Sequence, residues 1–351
     1  MQLILVLGND MRAIEYSHTG AADLLQVVER EVREPAPGEV RVRIAVSGVN
    51  PTDWKARAGN GDGAALPHPQ VPGQDGAGIV DAAGDAVTHV APGDRVWLWD
   101  AAYRRTDGTA QELAIIPAGQ VVVLPDSASF DVGASLGIPA LTAHRALTAR
   151  EGGPDRLAPG ALDGVAVMVT GGAGAVSHAA IQLAVWAGAT VITTVSGDEK
   201  AALARKAGAH HVINYRSEDV VARVKDIAPA GAAVIVEVNA NANIETDLAV
   251  IAMGGTIVIY AGTGDGALGV PVRASMAKNV RLQFILTYTT TAEQKQNAVA
   301  AVSAATADGA LEVGDETGLP IMRFPLERTA DAHQAVEDGA IGKVLIDVAA
   351  L

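Results

Sequence analysis

The chain has 351 residues, 49% of them hydrophobic and only 3% aromatic, enough apolar material for two domains of ordinary size. Its net charge of −14 argues against nonspecific binding to nucleic acid or to an anionic membrane surface. It has no cysteine, which excludes disulfides and thiolate metal sites and agrees with an expected cytoplasmic location.

The first ten residues form an apolar run without a basic flank. The run is too short for a membrane span and lacks a signal-peptide pattern. It reads as a strand, or as an addition ahead of a start at Met11. Residues 11–34 alternate weakly and predict two strands around His18-Thr19-Gly20. Pro35 to Gly38 is a turn, and the alternation from Val40 to Val49 predicts a strand. Asn50-Pro51-Thr52-Asp53 opens a helix, with Asn50 or Thr52 as its cap, and residues 58–72 read as loop. A strand follows Gly73-Gln74-Asp75, and the turn at Pro92-Gly93-Asp94 leads into another, Val96–Trp99. Short strands this dense predict a small β-rich, barrel-like domain.

From Ser129 the period becomes helical, giving one or two helices over 131–149. Val165–Val169 is a short β-branched run, the pattern of a strand buried on both faces. The glycines Gly171, Gly172 and Gly174 follow, and then a helical period closed by Gly188. Such a turn lets a pyrophosphate approach the backbone, and the helix start, with Ala175 and Val176, offers unpaired N–H groups and a positive dipole end. The dinucleotide fingerprint G-x-G-x-x-G is met at Gly172 and Gly174, with Ser177 in place of the third glycine.

The next strand, Thr190–Val195, ends in Ser196 where an acid would favour the ribose of NAD. Lys200 lies one turn on, and a hydroxyl with a cation suits a 2′-phosphate, so the expected cofactor is NADPH. The alternation continues with strand Val212–Asn214, helix 217–227, strand Val234–Val238, helix 243–252 and strand Thr256–Tyr260. Strand Val280–Leu286, a helix from Ala292 to about Ala307 and short strands to the end complete the chain. This order predicts an α/β fold with a doubly wound parallel sheet inserted into the β-rich domain.

The stretches Val49-Asn50-Pro51, Asp53-Trp54-Lys55, Gly93-Asp94-Arg95-Val96, Gly137 to Ala143 and Asn214-Tyr215-Arg216 resemble the medium-chain dehydrogenase/reductase superfamily, in its zinc-free quinone oxidoreductase branch. The resemblance covers essentially the whole chain from Met11. It implies a GroES-like barrel domain over 1–140 with 296–351, and a Rossmann-type domain over 141–295. It assigns Lys200 and Tyr215, with Ser196 beside them, to the 2′-phosphate of NADPH, Thr142 to the nicotinamide amide, and Asn50 to the substrate cleft. Lys55 stands where many relatives carry a tyrosine, and it is a second cleft candidate. Asn239, Ala261, Gly262 and Thr263 fall at the carboxyl ends of later strands, where such sheets bind ligands.

No cysteine is available for zinc, and Gln74-Asp75 replaces the histidine and glutamate of the zinc enzymes of this superfamily. The expected reaction is therefore hydride transfer from NADPH to an electron-poor acceptor, a quinone. The alternatives are an α,β-unsaturated carbonyl and, from another class, a non-catalytic NADPH-binding protein, which the serine in the fingerprint keeps open. The resemblance also implies a homodimer, with Val280–Tyr288 as the candidate edge, and no nucleic-acid or membrane partner.

Overall fold

The fold is taken from a computed structural model, which describes residues 10–262 and 266–350. The chain divides into two compact units: one takes in residues up to Gly137 and those from Met322 onward, and the other is Ile138–Ile321.

In the first unit, β1 (Asp10–His18) and β2 (Gln26–Glu31) pair antiparallel, as the weak alternation predicts. β3 (Glu39–Val49) is the spine of the unit. Its Val40, Val42 and Ile44 are wholly buried, each contributing on the order of 2 kcal/mol by leaving water. α1 (Pro51–Ala58) follows directly. The expected loop over 58–72 is corrected: it contains β4 (Ala65–Gln70), which pairs with β1 at a polar surface that gives little sequence signal. β5 (Asp75–Ala83), β6 (Arg95–Leu98), β7 (Leu113–Pro117) and β8 (Val121–Val123) come next, then the short α2 (Phe130–Gly133).

The second unit contains α3 (Gly137–Leu147), β9 (Ala166–Thr170), α4 (Ala175–Trp186), β10 (Thr190–Val195), α5 (Asp198–Lys206) and β11 (His211–Asn214). It continues with α6 (Val220–Ile227), β12 (Ala232–Glu237), α7 (Ala240–Val250), β13 (Ile251–Ile259), α8 (Val272–Lys278), β14 (Arg281–Phe284) and α9 (Ala292–Ala307). The strands pair in parallel in the order β11-β10-β9-β12-β13-β14, the doubly wound arrangement expected. The order reverses between β9 and β12, so a crevice opens beyond their carboxyl ends. α7 starts three residues earlier than the expected helix 243–252, with Asn239 at the N-cap position right after the strand turn.

β15 (Ile321–Pro325), α10 (Thr329–Glu337) and β16 (Lys343–Asp347) return to the first unit, where β16 pairs with β3. One expected boundary is corrected. The chain was expected to re-enter the β-rich domain at 296, yet the second unit runs on to Ile321. Helix α9 buries Ala298, Ala301, Val302 and Ala305, and its small-residue face belongs with the parallel-sheet unit. Among the described residues no helix is long and apolar enough to cross a membrane.

Candidate functional site

The glycine turn lies where the fingerprint puts it, between β9 and α4. Gly171 has φ +66, a left-handed conformation that costs a side-chain residue energy. At Gly172 a Cβ would run into Thr193 Oγ1, which donates to Val169 O at 2.7 Å. Gly174, the N-cap of α4, is needed for neither reason: its φ is −84, and a Cβ there would find nothing nearer than Gly171 O at 3.6 Å. Gly174 is exposed, and it opens the backbone ahead of Ala175 and Val176 to whatever approaches the helix start. Ser177, the departure from the fingerprint, is buried and fits. Its hydroxyl donates to Thr170 O at 2.9 Å and lies 3.2 Å from the Tyr260 hydroxyl. A serine there ties α4 to the end of β9 instead of letting the two pack by contact alone.

Strand register brings two of the three expected phosphate residues, Ser196 and Tyr215, to neighbouring strand ends. Val195 pairs with Asn214, and Tyr215 N donates to Val195 O at 3.1 Å, so Ser196 and Tyr215 leave neighbouring strand ends side by side. Lys200 is the third residue of α5, half-buried, while Asp198 and Glu199 beside it are exposed. The Tyr215 side chain is 52% exposed.

A cavity of about 510 Å³ opens at the carboxyl ends of β9, β10 and β12, walled by Thr170, Gly171, Thr194, Tyr215, Asn239 and Asp247 among others. Ser196 and Lys200 are not among its lining residues. Thr170 stitches its floor across the crevice: its hydroxyl accepts from Val238 N at 3.0 Å and donates to Val236 O at 3.3 Å. Asn239, the N-cap residue of α7, donates its backbone N–H to Glu237 Oε1, which also accepts from Asn243 Nδ2 at 3.0 Å. Glu237 and Asp247 are both fully buried. Burial, with the Glu237 charge adding to it, pushes the Asp247 carboxyl up to about 9, and burial likewise raises Glu237. The two carboxyls are buried close enough that the charge on Glu237 disfavours ionisation of Asp247, and neither Asp247 oxygen has a hydrogen-bond partner among the described residues. The sequence reading missed this pair. Its only signal is an acid closing the otherwise apolar strand Val234–Val238.

Ala261 and Gly262 follow β13 as expected, half-buried and exposed respectively, and Thr263 lies outside the described residues. Thr142 is buried on α3.

In the first unit, Asn50 is the N-cap residue of α1, and it does more than cap. Its backbone N–H donates to Asp53 Oδ2 at 2.7 Å. Its side-chain Oδ1 accepts from Lys343 Nζ at 2.7 Å, and its Nδ2 donates to Asp75 Oδ2 at 2.7 Å. Asp53 Oδ1 accepts from Gln74 N at 3.2 Å. Burial pushes the Asp53 carboxyl up to about 7, with Asp75 adding to it and the two N–H groups and Lys343 opposing. Burial lowers the Lys343 ammonium against the pull of Asp75 and Asp53. The network was not legible beforehand, since Lys343 reads only as the start of a strand. Lys55, the other expected cleft residue, is exposed, its ammonium 5.7 Å from the centre of its neighbour Trp54. That is the geometry of a solvated side chain, and nothing in the first unit turns it toward Asn50.

The site was expected to hold a dinucleotide, and its residues fit one: an unobstructed helix start, a crevice at the sheet reversal, and a hydroxyl and a cation where a 2′-phosphate would sit. No cysteine exists, and among the described residues no group of three histidine, aspartate or glutamate side chains gathers to hold a metal.

Residues 36–126 match the alcohol dehydrogenase GroES-like domain family, and residues 175–307 match the family described as zinc-binding dehydrogenase. A quinone oxidoreductase of Rattus norvegicus is 31% identical over 348 residues, covering 96% of this chain and 97% of that one. The solved structure of Escherichia coli quinone oxidoreductase complexed with NADPH superposes with a TM-score of 0.76 at 29% identity, covering 96% of this chain and 100% of that one. An NAD-dependent alcohol dehydrogenase superposes with a TM-score of 0.82 at 27% identity, covering 97% of this chain and 100% of that one.

Proposed function

The chain belongs to the medium-chain dehydrogenase/reductase superfamily, in its quinone oxidoreductase branch, and from that membership we propose that it is a zinc-independent, NADPH-dependent reductase of quinones. The observation that carries the reading is the glycine turn at the sheet reversal, where Gly174 leaves the start of α4 open although the fold itself does not require a glycine there.

The N–H groups of Ala175 and Val176 would hold the pyrophosphate, and Ser196, Lys200 and Tyr215 would meet the 2′-phosphate. Asn239, Ala261 and Gly262 would border the rest of the dinucleotide, and Thr142 would meet the nicotinamide amide. When bound, NADPH supplies a hydride, and the protein supplies orientation and a dry pocket. No metal is needed to polarise a quinone, which is already electron-poor. The hydroquinone anion it becomes takes its proton from water, so no histidine–carboxylate pair is required. The chain acts as a cytoplasmic homodimer in this reading.

A second reading, reduction of an α,β-unsaturated ketone or aldehyde, is favoured by one observation: the buried amide of Asn50, held between Lys343 and Asp75. Enone reduction requires a preset hydrogen-bond donor at the carbonyl oxygen, and Asn50 Nδ2 is one.

The test is oxidation of NADPH and of NADH with 9,10-phenanthrenequinone and with a simple enone, in parallel, on the wild type and on Lys200→Ala. Turnover with NADPH is expected, and Lys200→Ala raises its KM roughly tenfold or more, about 1.4 kcal/mol, while leaving the weaker use of NADH unchanged. Equal use of NADH by the wild type would sink the phosphate site. The faster acceptor chooses between the two readings.

A further inference from the structure

Three strands bring distant residues to Asn50. β16 runs antiparallel to β3 with Val344 opposite Val49, which sets Lys343 beside Asn50 on one side. β3 runs antiparallel to β5 with Gly48 opposite Asp75, which sets Asp75 on the other. All three side chains are withdrawn from water, Asn50 and Lys343 at 2% exposure and Asp75 at 0%. Gly137 makes the room: a Cβ there would strike Asp75 Oδ1.

The chemistry of the two neighbours dictates how the amide lies. An ammonium can only donate, so Lys343 requires the Asn50 oxygen on its side. Asp75 Oδ2 takes one hydrogen of Nδ2 on the other side. Reversing the amide would face –NH₂ with –NH₃⁺ and set two oxygens against each other, in an interior where each lost hydrogen bond costs on the order of 1–3 kcal/mol. One hydrogen of Nδ2 is left over, in a fixed direction.

We propose that Lys343 and Asp75 are positioning residues that lock the Asn50 amide in one orientation, so that a single N–H is presented to the oxygen of the electrophile. This rests on the reading of Asn50 as a substrate contact, and it adds two residues that act only through Asn50. Lys343 touches neither substrate nor cofactor. It neutralises the charge buried with Asp75 and Asp53, and it decides which end of the amide turns away from it.

A double-mutant cycle with an orientation readout tests this. Asn50→Ala is expected to lower kcat about 100-fold on the acceptor that turns over faster, the scale of losing one preset donor. Lys343→Met lowers kcat about tenfold or more, leaves the NADPH Kd unchanged, and has no further effect once Asn50→Ala is present. Asp75→Leu, of similar size and without an acceptor for Asn50 Nδ2, repeats the result should Lys343→Met fail to fold. Independently of turnover, the Asn50 side-chain amide in ¹⁵N spectra gives two separate, exchange-protected resonances in the wild type and loses that protection in the variants. If Asn50→Ala is silent, the substrate-contact reading fails and the proposal fails with it. If Asn50→Ala is damaging but the effects of Lys343→Met and Asn50→Ala multiply independently, that reading survives and the positioning role is overturned. Unchanged Asn50 resonances in both variants overturn it as well.

Discussion

Asp247 shows how one buried residue ties stability to pH. Unfolded, its carboxyl titrates near the ordinary value of about 4. Folded, it is raised to about 9, because burial and the Glu237 charge both disfavour its ionised form. Between those two values the native state holds a proton that the unfolded state has released. Stability therefore falls as pH rises through the window, by at most about 1.4 kcal/mol per pH unit. Asp247→Asn keeps a donor toward Glu237 and removes the titration. The expected outcome is a wild-type melting temperature that drops between pH 6 and pH 8.5, with a flatter profile for Asp247→Asn in the same calorimetric series. Parallel profiles would refute the raised Asp247 carboxyl. Lys343 makes the same point from the basic side: its meaning comes from Asn50 and Asp75, which no local pattern around residue 343 announces.

At the scale of the element, the turn between β9 and α4 separates glycines required by the fold from one that a ligand would require. Gly172→Ala forces a methyl into Thr193, and overpacking of that kind costs about 1–3 kcal/mol. Its melting temperature is expected to drop by several degrees. Gly174→Ala meets nothing closer than 3.6 Å, so its melting temperature should match the wild type while its NADPH affinity falls about tenfold or more. Thermal melts and a fluorescence titration with NADPH measure both. Wild-type affinity in Gly174→Ala would move the pyrophosphate off this turn. Strands β9, β10 and β12 were legible as apolar β-branched runs because a strand covered on both faces has no polar side to show. Strand β4 was not, since its Ala65 and His68 are exposed and its pairing with β1 is a surface event.

At the scale of the molecule, the six-stranded sheet ends at β14, an edge of the kind that invites pairing with another chain. Phe284 on it is 60% exposed, Leu286 just beyond is 56%, and Met253 and Met276 on β13 and α8 are 67% and 71% exposed. An unpaired edge strand with Phe284 exposed on it fits the proposed homodimer. Sedimentation is expected to give twice the chain mass for the wild type and a single chain mass for Phe284→Glu. A monomeric wild type would overturn the assembly.

The sequence by itself determined the kinds of element and their alternation, the glycine turn, the missing acid after β10 and the absence of any thiolate ligand. These are local properties, carried by periodicity, by residue type and by spacing within some tens of residues. Tertiary structure alone decided that α9 belongs with the parallel sheet, that Ser177 fits by hydrogen bonding, that Asp247 is buried against Glu237 and its carboxyl raised, and that Lys343 meets Asn50 across 293 positions. Periodicity tells which face of an element is buried. Which partner lies against that face is set by strand register and sheet order, and those are properties of the assembled fold.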